Sequence, residues 1–401
     1  MVKRELYLQK IRPFYSSELI KVITGIRRCG KSTLLKQIME ELKSSGIPET
    51  HIIYVNFEDY QYRKLMDPDA FYQYIEERIP DSGLTYLFFD EIQNVVDYEL
   101  VVNSFRATHN ASIFMTGSNS KLLSGELASH LGGRTVSFRV MPFNFKEFCE
   151  FFEYAKPAGE LFQDYIHWGG FPLVCSAPDE NSRMMTLSSL YDSIVLKDIV
   201  MRNKITFPQS LEKILEYLIA HSSTTISSKN IAASLTDASQ PISGPTVYDY
   251  IRYIVDACII DKVERYDIRG RKALAFEEKT YVCDLGFFQL KKNRIKDEWN
   301  FIIETIVYNE LIARGYKVYI GKTYRGEIDF IAELPNSRIY IQAAYLMKDE
   351  TTVEREFGAY DSIHDHYSKY VVSMDPVTID RDGIRHLNLI DFLLHENLLT
   401  P

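Results

Sequence analysis

The chain has 401 residues, 46% hydrophobic and 25% charged, which is enough apolar material for two to four folded domains and excludes a disordered chain. The formal net charge of −9 argues against non-specific coating of nucleic acid, although it is compatible with a local basic face. The five cysteines are scattered, with no Cys-x-x-Cys pair, and no signal peptide or long apolar span is visible. These features predict a cytoplasmic protein with reduced thiols and no membrane span.

The first third of the chain alternates short apolar runs with helical patterns. Such runs, separated by helices, are typical of buried parallel strands in an α/β layer. The predicted strands are Leu19–Thr24, Ile52–Phe57, Tyr86–Phe89, Ser112–Thr116 and Thr135–Val140, and helices are predicted to begin near Lys31, Asp69, Tyr98 and Lys121. The pattern predicts one α/β domain over residues 1–142.

A glycine-rich loop follows the first predicted strand. Residues Gly25–Ser32 match G-x-x-x-x-G-K-[ST] in full and open a helix. The glycines let backbone N–H groups turn towards phosphates, Lys31 reaches the β- and γ-phosphates, and Ser32 ligates Mg²⁺. This Walker A loop predicts binding of ATP and Mg²⁺; the alternative is a glycine turn with a surface lysine. The predicted ATP-binding residues are Gly25, Ile26, Arg27, Arg28, Cys29, Gly30, Lys31, Ser32 and Thr33.

An acidic pair follows the third predicted strand. The apolar run Tyr86–Phe89 ends in Asp90 and Glu91, and ligands sit at the carboxyl ends of strands in open α/β sheets. Asp90 is predicted to hold the metal together with Ser32, and Glu91 to polarise the attacking water as general base. The alternative is a strand that simply enters solvent.

Further polar residues lie near the ends of the other predicted strands. Ser118 and Asn119 are predicted sensors of the γ-phosphate or the water, with ordinary turn chemistry as the alternative. Arg134 is predicted to supply positive charge to the transition state, in cis or across a subunit boundary, and is otherwise a surface arginine. A further hypothesis has Asn56 and Glu58, at the end of the second strand, modulating Glu91.

Several of these stretches carry a family resemblance, namely Gly25–Ser32, Leu87–Gln93, Thr116–Ser118, Gly133-Arg134 and Met141–Phe148. Through them the sequence resembles the AAA-type ATPases of bacteria and archaea that carry a C-terminal domain of unknown function. The resemblance spans nearly the whole chain. It implies an AAA-like P-loop ATPase core over residues 1–142.

The middle of the chain is predominantly helical. Residues 143–205 predict a helical lid, and residues 206–290 predict a winged helix-turn-helix, with two helices at Ser227–Leu235 and Ser243–Ile254 and wing strands at Ile259–Phe276. The basic wing tip predicts contacts to DNA phosphates. A protein-interaction module and simple lid packing are the alternatives. The tip residues are Arg265, Arg269, Arg271 and Lys272.

Residues 291–401 resemble a restriction-endonuclease-like core. The resembling positions are Glu304, Glu327, Asp329, Gln342 and Ala344. Metal-assisted cleavage needs two carboxylates and a lysine near the attacking water. Because Gln342 and Ala344 stand at the second acid position and the lysine position, the sequence predicts a degenerate, non-cleaving domain. An unrelated α/β domain is the alternative.

The predicted fold class is therefore α/β: an AAA-like P-loop sheet, a helical lid, a winged helix and a small nuclease-like α/β domain. The predicted function is a Mg²⁺-dependent ATPase that acts as a molecular switch on DNA or a protein client, with homo-oligomerisation open. One rival is a nucleic-acid-processing enzyme with an active C-terminal nuclease, against which Gln342 and Ala344 argue. The other is an ATP-organised scaffold, against which the general base Glu91 argues.

Overall fold

The computed structural model describes residues 2–118, 133–235, 242–290, 299–324 and 326–399. The chain divides into two compact units. The first holds the residues before Pro142 together with Asp256–Cys258, and the second holds Pro142–Val255 and the chain from Ile259 onwards. The finer division at residues 205 and 290 stays a prediction.

The first unit is built on a five-stranded parallel sheet. Its strands are β1 Ile20–Thr24, β2 Ile52–Asn56, β3 Thr85–Asp90, β4 Ala111–Gly117 and β5 Thr135–Arg139. They lie in the order β2-β3-β4-β1-β5, and all neighbours are parallel. Every residue of β1, β3 and β4 is buried, as expected for a parallel sheet with both faces covered. The predicted parallel α/β layer is confirmed.

The described helices of this unit are α1 Glu5–Ile11, α2 Lys31–Ser44, α3 Pro68–Glu76 and α4 Tyr98–Thr108. The Asp67 carboxylate caps α3 by accepting a hydrogen bond from the Ala70 N–H at 3.0 Å, and Pro68 occupies the first turn, where its missing N–H costs nothing. Phe71 of α3 packs edge-on against Phe57 and Phe89, with ring centroids 5.1 and 4.9 Å away. The helix predicted near Lys121 lies outside the described residues.

The second unit begins with helices and has further helices between its strands. Those described are α5 Phe145–Phe151, α6 Ala158–Trp168, α7 Pro172–Cys175, α8 Glu180–Ser193, α9 Pro208–Ala220, α10 Ser228–Leu235, α11 Gly244–Asp256, α12 Gly286–Leu290, α13 Trp299–Arg314, α14 Glu350–Gly358 and α15 Leu389–Leu394, and α8 continues into a π-helical segment, Ile194–Met201. A capping box at Asn144 and Glu147 starts α5.

A buried aspartate closes the turn between α6 and α7. The Asp284 carboxylate accepts hydrogen bonds from the N–H groups of Gly170 (2.7 Å) and Gly286 (2.8 Å). Gly169 has φ +72°, and a Cβ there would lie 1.8 Å from Asp284 Oδ1. Burial raises the pKa of Asp284 to about 7. The turn therefore requires glycine at 169 both for its backbone conformation and for space.

The same unit contains a seven-stranded mixed sheet. Its strands are β6 Ile260–Asp267, β7 Lys272–Val282, β8 Lys317–Lys322, β9 Glu327–Leu334, β10 Ser337–Ala343, β11 Ser368–Ser373 and β12 Arg385–Asn388, in the order β12-β11-β10-β9-β8-β6-β7. Strand β6 pairs antiparallel with β7 on one side and parallel with β8 on the other, where Arg265 lies opposite Ile320. The predicted wing hairpin is thus continuous with the C-terminal sheet. The winged-helix and nuclease-like assignments stay predictions.

No helix in the described part of the chain is both long enough and apolar enough to cross a membrane.

Candidate active site

The loop between β1 and α2 curves into a cradle at the end of β1. Gly25 and Gly30 have φ of +148° and +105°, and Arg28 has φ +66°. A Cβ on Gly25 would lie 2.1 Å from the Val140 carbonyl oxygen, so only glycine fits there. The helix α2 begins at Lys31 without a side-chain cap in the described residues. Its first N–H groups are therefore suited to an anion rather than committed to a capping oxygen.

A buried arginine from the N-terminal segment contacts the main chain of this loop. Arg4 is 1% exposed and donates hydrogen bonds to the carbonyl oxygens of Cys29 (2.9 Å) and Met141 (2.8 Å). Its backbone N–H donates to Gln37 Oε1 of α2 at 2.9 Å. The Met141 N–H donates to the hydroxyl of Tyr7 at 3.1 Å. The loop is thereby fixed to both the N-terminus and the chain after β5.

The Walker lysine lies inside the cradle. Lys31 Nζ donates to the carbonyl oxygens of Gly25 (3.1 Å) and Ile26 (3.2 Å) and lies 3.6 Å from Glu91 Oε1. Both charged side chains are buried. Burial alone would lower the pKa of Lys31, but Glu91, with smaller contributions from neighbours including Asp90, holds it above its ordinary value. Lys31 is therefore a cation at this site.

The two acids at the end of β3 are linked to β4. Asp90 accepts hydrogen bonds from the hydroxyls of Thr116 (2.5 Å) and Tyr54 (2.9 Å). The Glu91 N–H donates to Thr116 Oγ1 at 2.9 Å. Glu91 adopts the left-handed conformation, with φ +55°, which is uncommon outside glycine and is found at functional sites. Thr116 thus orients both acids through one hydroxyl.

The Glu91 side chain is held in its ionised form. Gln93 Nε2 donates to Glu91 Oε2 at 2.5 Å, and Ser118 also hydrogen-bonds the carboxylate. Burial alone would raise the pKa of Glu91, but Lys31, Gln93, Arg27 and Ser118 together hold it below its ordinary value. The structure therefore brings Ser118 to Glu91. The other predicted sensor, Asn119, lies outside the described residues.

Glu58, which follows β2, contacts the phosphate loop, and no contact between it and Glu91 is found in the described residues. Arg27 Nη2 donates to Glu58 Oε1, and the Glu58 N–H donates to Asn56 Oδ1 at 2.9 Å. The hypothesis that Asn56 and Glu58 modulate Glu91 has no direct contact behind it in the described residues. Glu58 instead fixes the side chain of one loop arginine.

Arg134 does not lie at this site within its own chain. It precedes β5, and its carbonyl oxygen accepts the Ile20 N–H at the start of β1. The phosphate loop follows the other end of β1, about 13 Å further along at the rise of a strand. The residue of β5 beside Thr24 is Arg139. The parallel register therefore removes Arg134 from an in-cis role.

An acidic cavity of about 580 Å³ lies at the nuclease-like position of the second unit, lined by residues that include Glu304, Glu327, Asp329 and Gln342. Lys279 of β7 lies 2.9 Å from Glu304 Oε1 and 2.5 Å from Glu327 Oε1. Burial and neighbouring carboxylates raise the pKa of Asp329 well above its usual range. The Lys279 ammonium thus compensates charge among these acids. The described residues contain no cluster of three or more His, Cys, Asp or Glu side chains suited to a metal.

Gln342 has a structural role in this cavity. Its Oε1 accepts the Asp329 N–H at 2.7 Å, and its Nε2 donates to Glu356 Oε2 at 3.1 Å. A carboxylate at this position would place a negative charge beside Glu356 and could not donate. Sequence reasoning recognised Gln342 as a departure but missed Lys279, because that residue lies on a strand remote in sequence from the motif.

The predicted wing-tip residues separate into two groups. Arg265 pairs with Glu327 at 2.9 Å and bonds Thr225 at 3.2 Å, so it is engaged within the unit. Arg269, Arg271 and Lys272 are exposed at the tip of the β6–β7 hairpin. The structure therefore places Arg265 apart from the other three.

Two family descriptions match the sequence. Residues 17–149 match the family described as "AAA domain", and residues 159–295 match one described as "Domain of unknown function (DUF8612)". An uncharacterized protein of Haemophilus influenzae is 36% identical over 98% of this chain and 99% of its own length. The chain belongs to this family of AAA-domain proteins. A second relative, an uncharacterized protein of Methanocaldococcus jannaschii, is 31% identical over 93% of the chain and 85% of its own length.

Solved structures give weaker likenesses. The ORC2 protein of Aeropyrum pernix is 12% identical, with a TM-score of 0.36 over 65% of this chain and 85% of that chain. The RuvB Holliday junction branch migration motor of Thermotoga maritima is 15% identical, with a TM-score of 0.35 over 65% and 90%. Likeness at this level says nothing about what the present AAA-domain protein does. Its α/β fold class, a P-loop sheet followed by a second, mixed sheet, is confirmed by the family and the observed strand order.

Proposed function

We propose that this AAA-domain protein binds ATP with Mg²⁺, hydrolyses it and works as an ATP-driven switch. The observation that carries the proposal is the buried network in which Lys31 meets Glu91 while Thr116 orients both Asp90 and Glu91. If ATP were only a tightly bound structural ligand, the protein would need the cradle but would not need an ionised, oriented carboxylate beside it. The network therefore favours hydrolysis over the scaffold alternative.

The residues present fit ATP and Mg²⁺. The uncapped N-terminus of α2 and the glycine conformations of the loop suit a row of phosphates. Ser32 and Asp90 supply the oxygen ligands that Mg²⁺ prefers. When bound, Mg²⁺ would neutralise charge on the β- and γ-phosphates. The proposed ATP-binding set remains the whole loop from Gly25 to Thr33.

Glu91 is proposed as the general base. Its carboxylate is ionised, because its pKa lies below the ordinary value, and Gln93 and Ser118 restrict its orientation. It can therefore accept a hydrogen bond from a water that attacks the γ-phosphate. Ser118 is proposed to position Glu91, and Asn119 keeps its proposed sensor role.

The ion pair between Lys31 and Glu91 suggests how nucleotide sets the switch. Lys31 is already held by two loop carbonyls and by Glu91. Phosphate oxygens would compete for the ammonium and so release Glu91 towards water. Release of phosphate would restore the pair. The catalytic base would thus be restrained whenever the γ-phosphate is absent.

Paired substitutions test this proposal. Lys31→Ala removes the phosphate-binding cation and should abolish ATP binding, whereas Glu91→Gln should retain ATP and stop turnover. Nucleotide titration and a phosphate-release assay separate the two effects. The matched control is Lys36→Ala, since Lys36 is an exposed lysine on the same helix. Unchanged hydrolysis in Glu91→Gln would remove Glu91 from the role of base.

The remaining assignments belong to the same proposal. Residues 143–205, 206–290 and 291–401 are proposed as lid, winged helix and nuclease-like domain. Arg134 is proposed as a cation supplied across a subunit boundary, which requires a homo-oligomer. The partner is proposed to be DNA or a protein client that contacts the second unit.

The nuclease rival is disfavoured by the acidic cavity. Lys279 forms ion pairs with Glu304 and Glu327, which a metal ion would need as ligands. Gln342 is hydrogen-bonded to Asp329 and Glu356. A plasmid-nicking assay with Mg²⁺ or Mn²⁺ should show no cleavage. Nicking that disappears in Asp329→Ala would establish the rival.

A further inference from the structure

A second cavity, of about 760 Å³, lies in the second unit on the side of the hairpin tip. We name it the basic-aromatic groove and define it by six of its lining residues: Tyr266, Arg269, Arg271, Tyr324, Arg338 and Tyr367. These residues come from the β6–β7 hairpin, the β8–β9 loop, β10 and the segment before β11. Separate parts of the fold therefore build one surface.

The groove carries uncompensated positive charge. Arg269 and Arg271 are exposed, and in the described part of the chain neither guanidinium pairs with a carboxylate. The nearest acid of the hairpin, Asp267, accepts hydrogen bonds from the N–H groups of Arg269 (3.1 Å) and Gly270 (2.9 Å). Its carboxylate therefore holds the turn instead of pairing with the arginine side chains.

Among the described residues that line the groove, the acid is Asp365, and it already has partners within the unit. Asp365 accepts a hydrogen bond from the Tyr340 hydroxyl at 2.5 Å and lies 3.5 Å from Lys369 Nζ. The Tyr367 N–H also donates to it, at 3.3 Å. An anion entering the groove would thus meet the arginines without a free opposing carboxylate from Asp365.

Flat side chains accompany these charges. Tyr324 is 91% exposed and Tyr367 is 46% exposed, which is unusual for large rings that no partner covers. The Arg338 guanidinium lies 4.8 Å from the Tyr266 ring centroid and 5.4 Å from that of Tyr367, and it is anchored to Glu333 Oε1 at 2.7 Å through Nε. Arg338, Tyr266 and Tyr367 therefore form an ordered wall beside the two exposed cations Arg269 and Arg271.

We propose that the basic-aromatic groove binds single-stranded nucleic acid. Arginines that meet phosphates next to exposed aromatic faces that stack on bases are the two parts of a single-strand site. This inference narrows the partner named in the proposed function. It places contact at the hairpin tip and the C-terminal sheet instead of at a recognition helix.

The alternatives fit less well. On α11, which would enter a major groove in a winged helix, Arg252 pairs with Asp249 at 3.1 Å, so a carboxylate would face duplex phosphates. Duplex DNA also keeps its bases stacked on one another, which leaves Tyr324 and Tyr367 without a base face to cover. An unpaired strand offers both bases and phosphates.

Fluorescence anisotropy with labelled 12-nucleotide oligo-dT and oligo-U, and with a duplex of equal length, tests the proposal. The single strands should bind more tightly than the duplex. Arg269→Ala/Arg271→Ala should weaken binding at least tenfold and reduce the slope of log affinity against log salt by about 1.4, at about 0.7 for each phosphate contact. Tyr324→Ala should weaken binding by about tenfold through lost stacking.

Two matched control variants test whether binding depends on the groove itself or on any exposed cation or aromatic ring. Lys197→Ala removes an exposed cation elsewhere in the second unit that does not line the groove, and Tyr248→Ala removes a 57% exposed ring on α11. Both should bind like the parent. Equal losses in the controls and the groove variants would overturn the site. The site would also be overturned if the duplex bound more tightly than the single strands, or if no single strand bound at low salt. Competition by a mononucleotide at concentrations comparable to the oligonucleotide would overturn it too.

ATP hydrolysis distinguishes a failure here from a failure of the proposed function. Lys31→Ala lies in the first unit and should bind the strand like the parent protein while losing nucleotide. If the groove variants lose strand binding but retain hydrolysis, both proposals stand. If the parent hydrolyses ATP yet binds no strand, only the groove proposal fails.

Discussion

Arg4 is a buried cation whose described hydrogen-bond acceptors include two main-chain carbonyls of separate segments. Carbonyl dipoles at Cys29 and Met141 therefore meet a full charge, and a hydrogen bond to a charged group contributes about 1.5–3 kcal/mol. The guanidinium fork can reach both carbonyls at once, which an ammonium on a single stem does less well. Arg4 thereby helps to fix the shape of the phosphate loop through its main-chain carbonyl groups.

Replacing Arg4 by methionine should destabilise the first unit and weaken ATP binding. Each buried carbonyl left unpaired costs about 1–3 kcal/mol, and a loosened loop no longer presents its N–H groups together. Thermal unfolding and nucleotide titration measure the two effects. Lys36→Met is the control, because it changes an exposed cation of α2. If Arg4→Met bound ATP like the parent, the loop would be self-supporting.

Residues of the proposed active site and of the acidic cavity differ in how readily the sequence predicts them. The loop residues and the pair Asp90–Glu91 stand in short, contiguous patterns whose chemistry is local. Arg4 and Lys279 carry no such pattern, because their partners are carbonyls or acids supplied by the fold. Arg134 was assigned from its place along the chain, and only the register of β5 against β1 reveals which end of the sheet it occupies.

Strand β1 contains a lysine in its fully buried run. Lys21 Nζ donates to the Ser17 carbonyl oxygen (3.0 Å) and to Ser112 Oγ (2.7 Å), and it lies 4.5 Å from the Phe114 ring centroid. Burial lowers its pKa from 10.5 to about 7. In the unfolded chain the same lysine stays protonated up to its ordinary pKa. Between these two values the unfolded state binds more protons than the folded state.

Stability should therefore rise with pH across this window. Raising the pH from 7 to 9.5 should stabilise the parent relative to Lys21→Met by roughly 3 kcal/mol, at about 1.4 kcal/mol per pH unit over the window. Denaturant unfolding of both proteins at the two pH values gives the double difference. Lys43→Met, at an exposed lysine, should show no such difference. Parallel pH profiles for parent and Lys21→Met would mean that Lys21 stays charged in the fold.

Elements with local signals were predicted well. The five strands of the first sheet begin and end within one residue of their predicted bounds, because each is a short run of strand-forming residues beside a helix. The pairing of β6 with β8 was not predicted, since neither strand carries a pattern that names its neighbour. Strand β12 was missed because it is only four residues long, and only Leu387 is an apolar residue.

The seven-stranded sheet joins segments on both sides of residue 290. A fragment of residues 142–290 would retain β6 and β7 but would leave the edge of β6 without β8, and exposed edge strands promote aggregation. We expect this fragment to aggregate, whereas residues 142–401 stay monodisperse. Size-exclusion chromatography of both fragments measures the difference. A monodisperse short fragment would show that the hairpin folds independently of the C-terminal strands.

This shared sheet also constrains how the gene can be rearranged. A recombination crossover between the codons for Val282 and Glu304 would join a β6–β7 hairpin from one parent to a β8 from another. The main-chain hydrogen bonds between β6 and β8 do not depend on side-chain identity and would tolerate such a change. The ion pairs Arg265–Glu327 and Lys279–Glu304 would not, because both members of each pair must come from the same parent. The two halves should therefore be inherited as one block, and chimeras with a crossover before Ile259 should fold better than chimeras with a crossover between Val282 and Glu304.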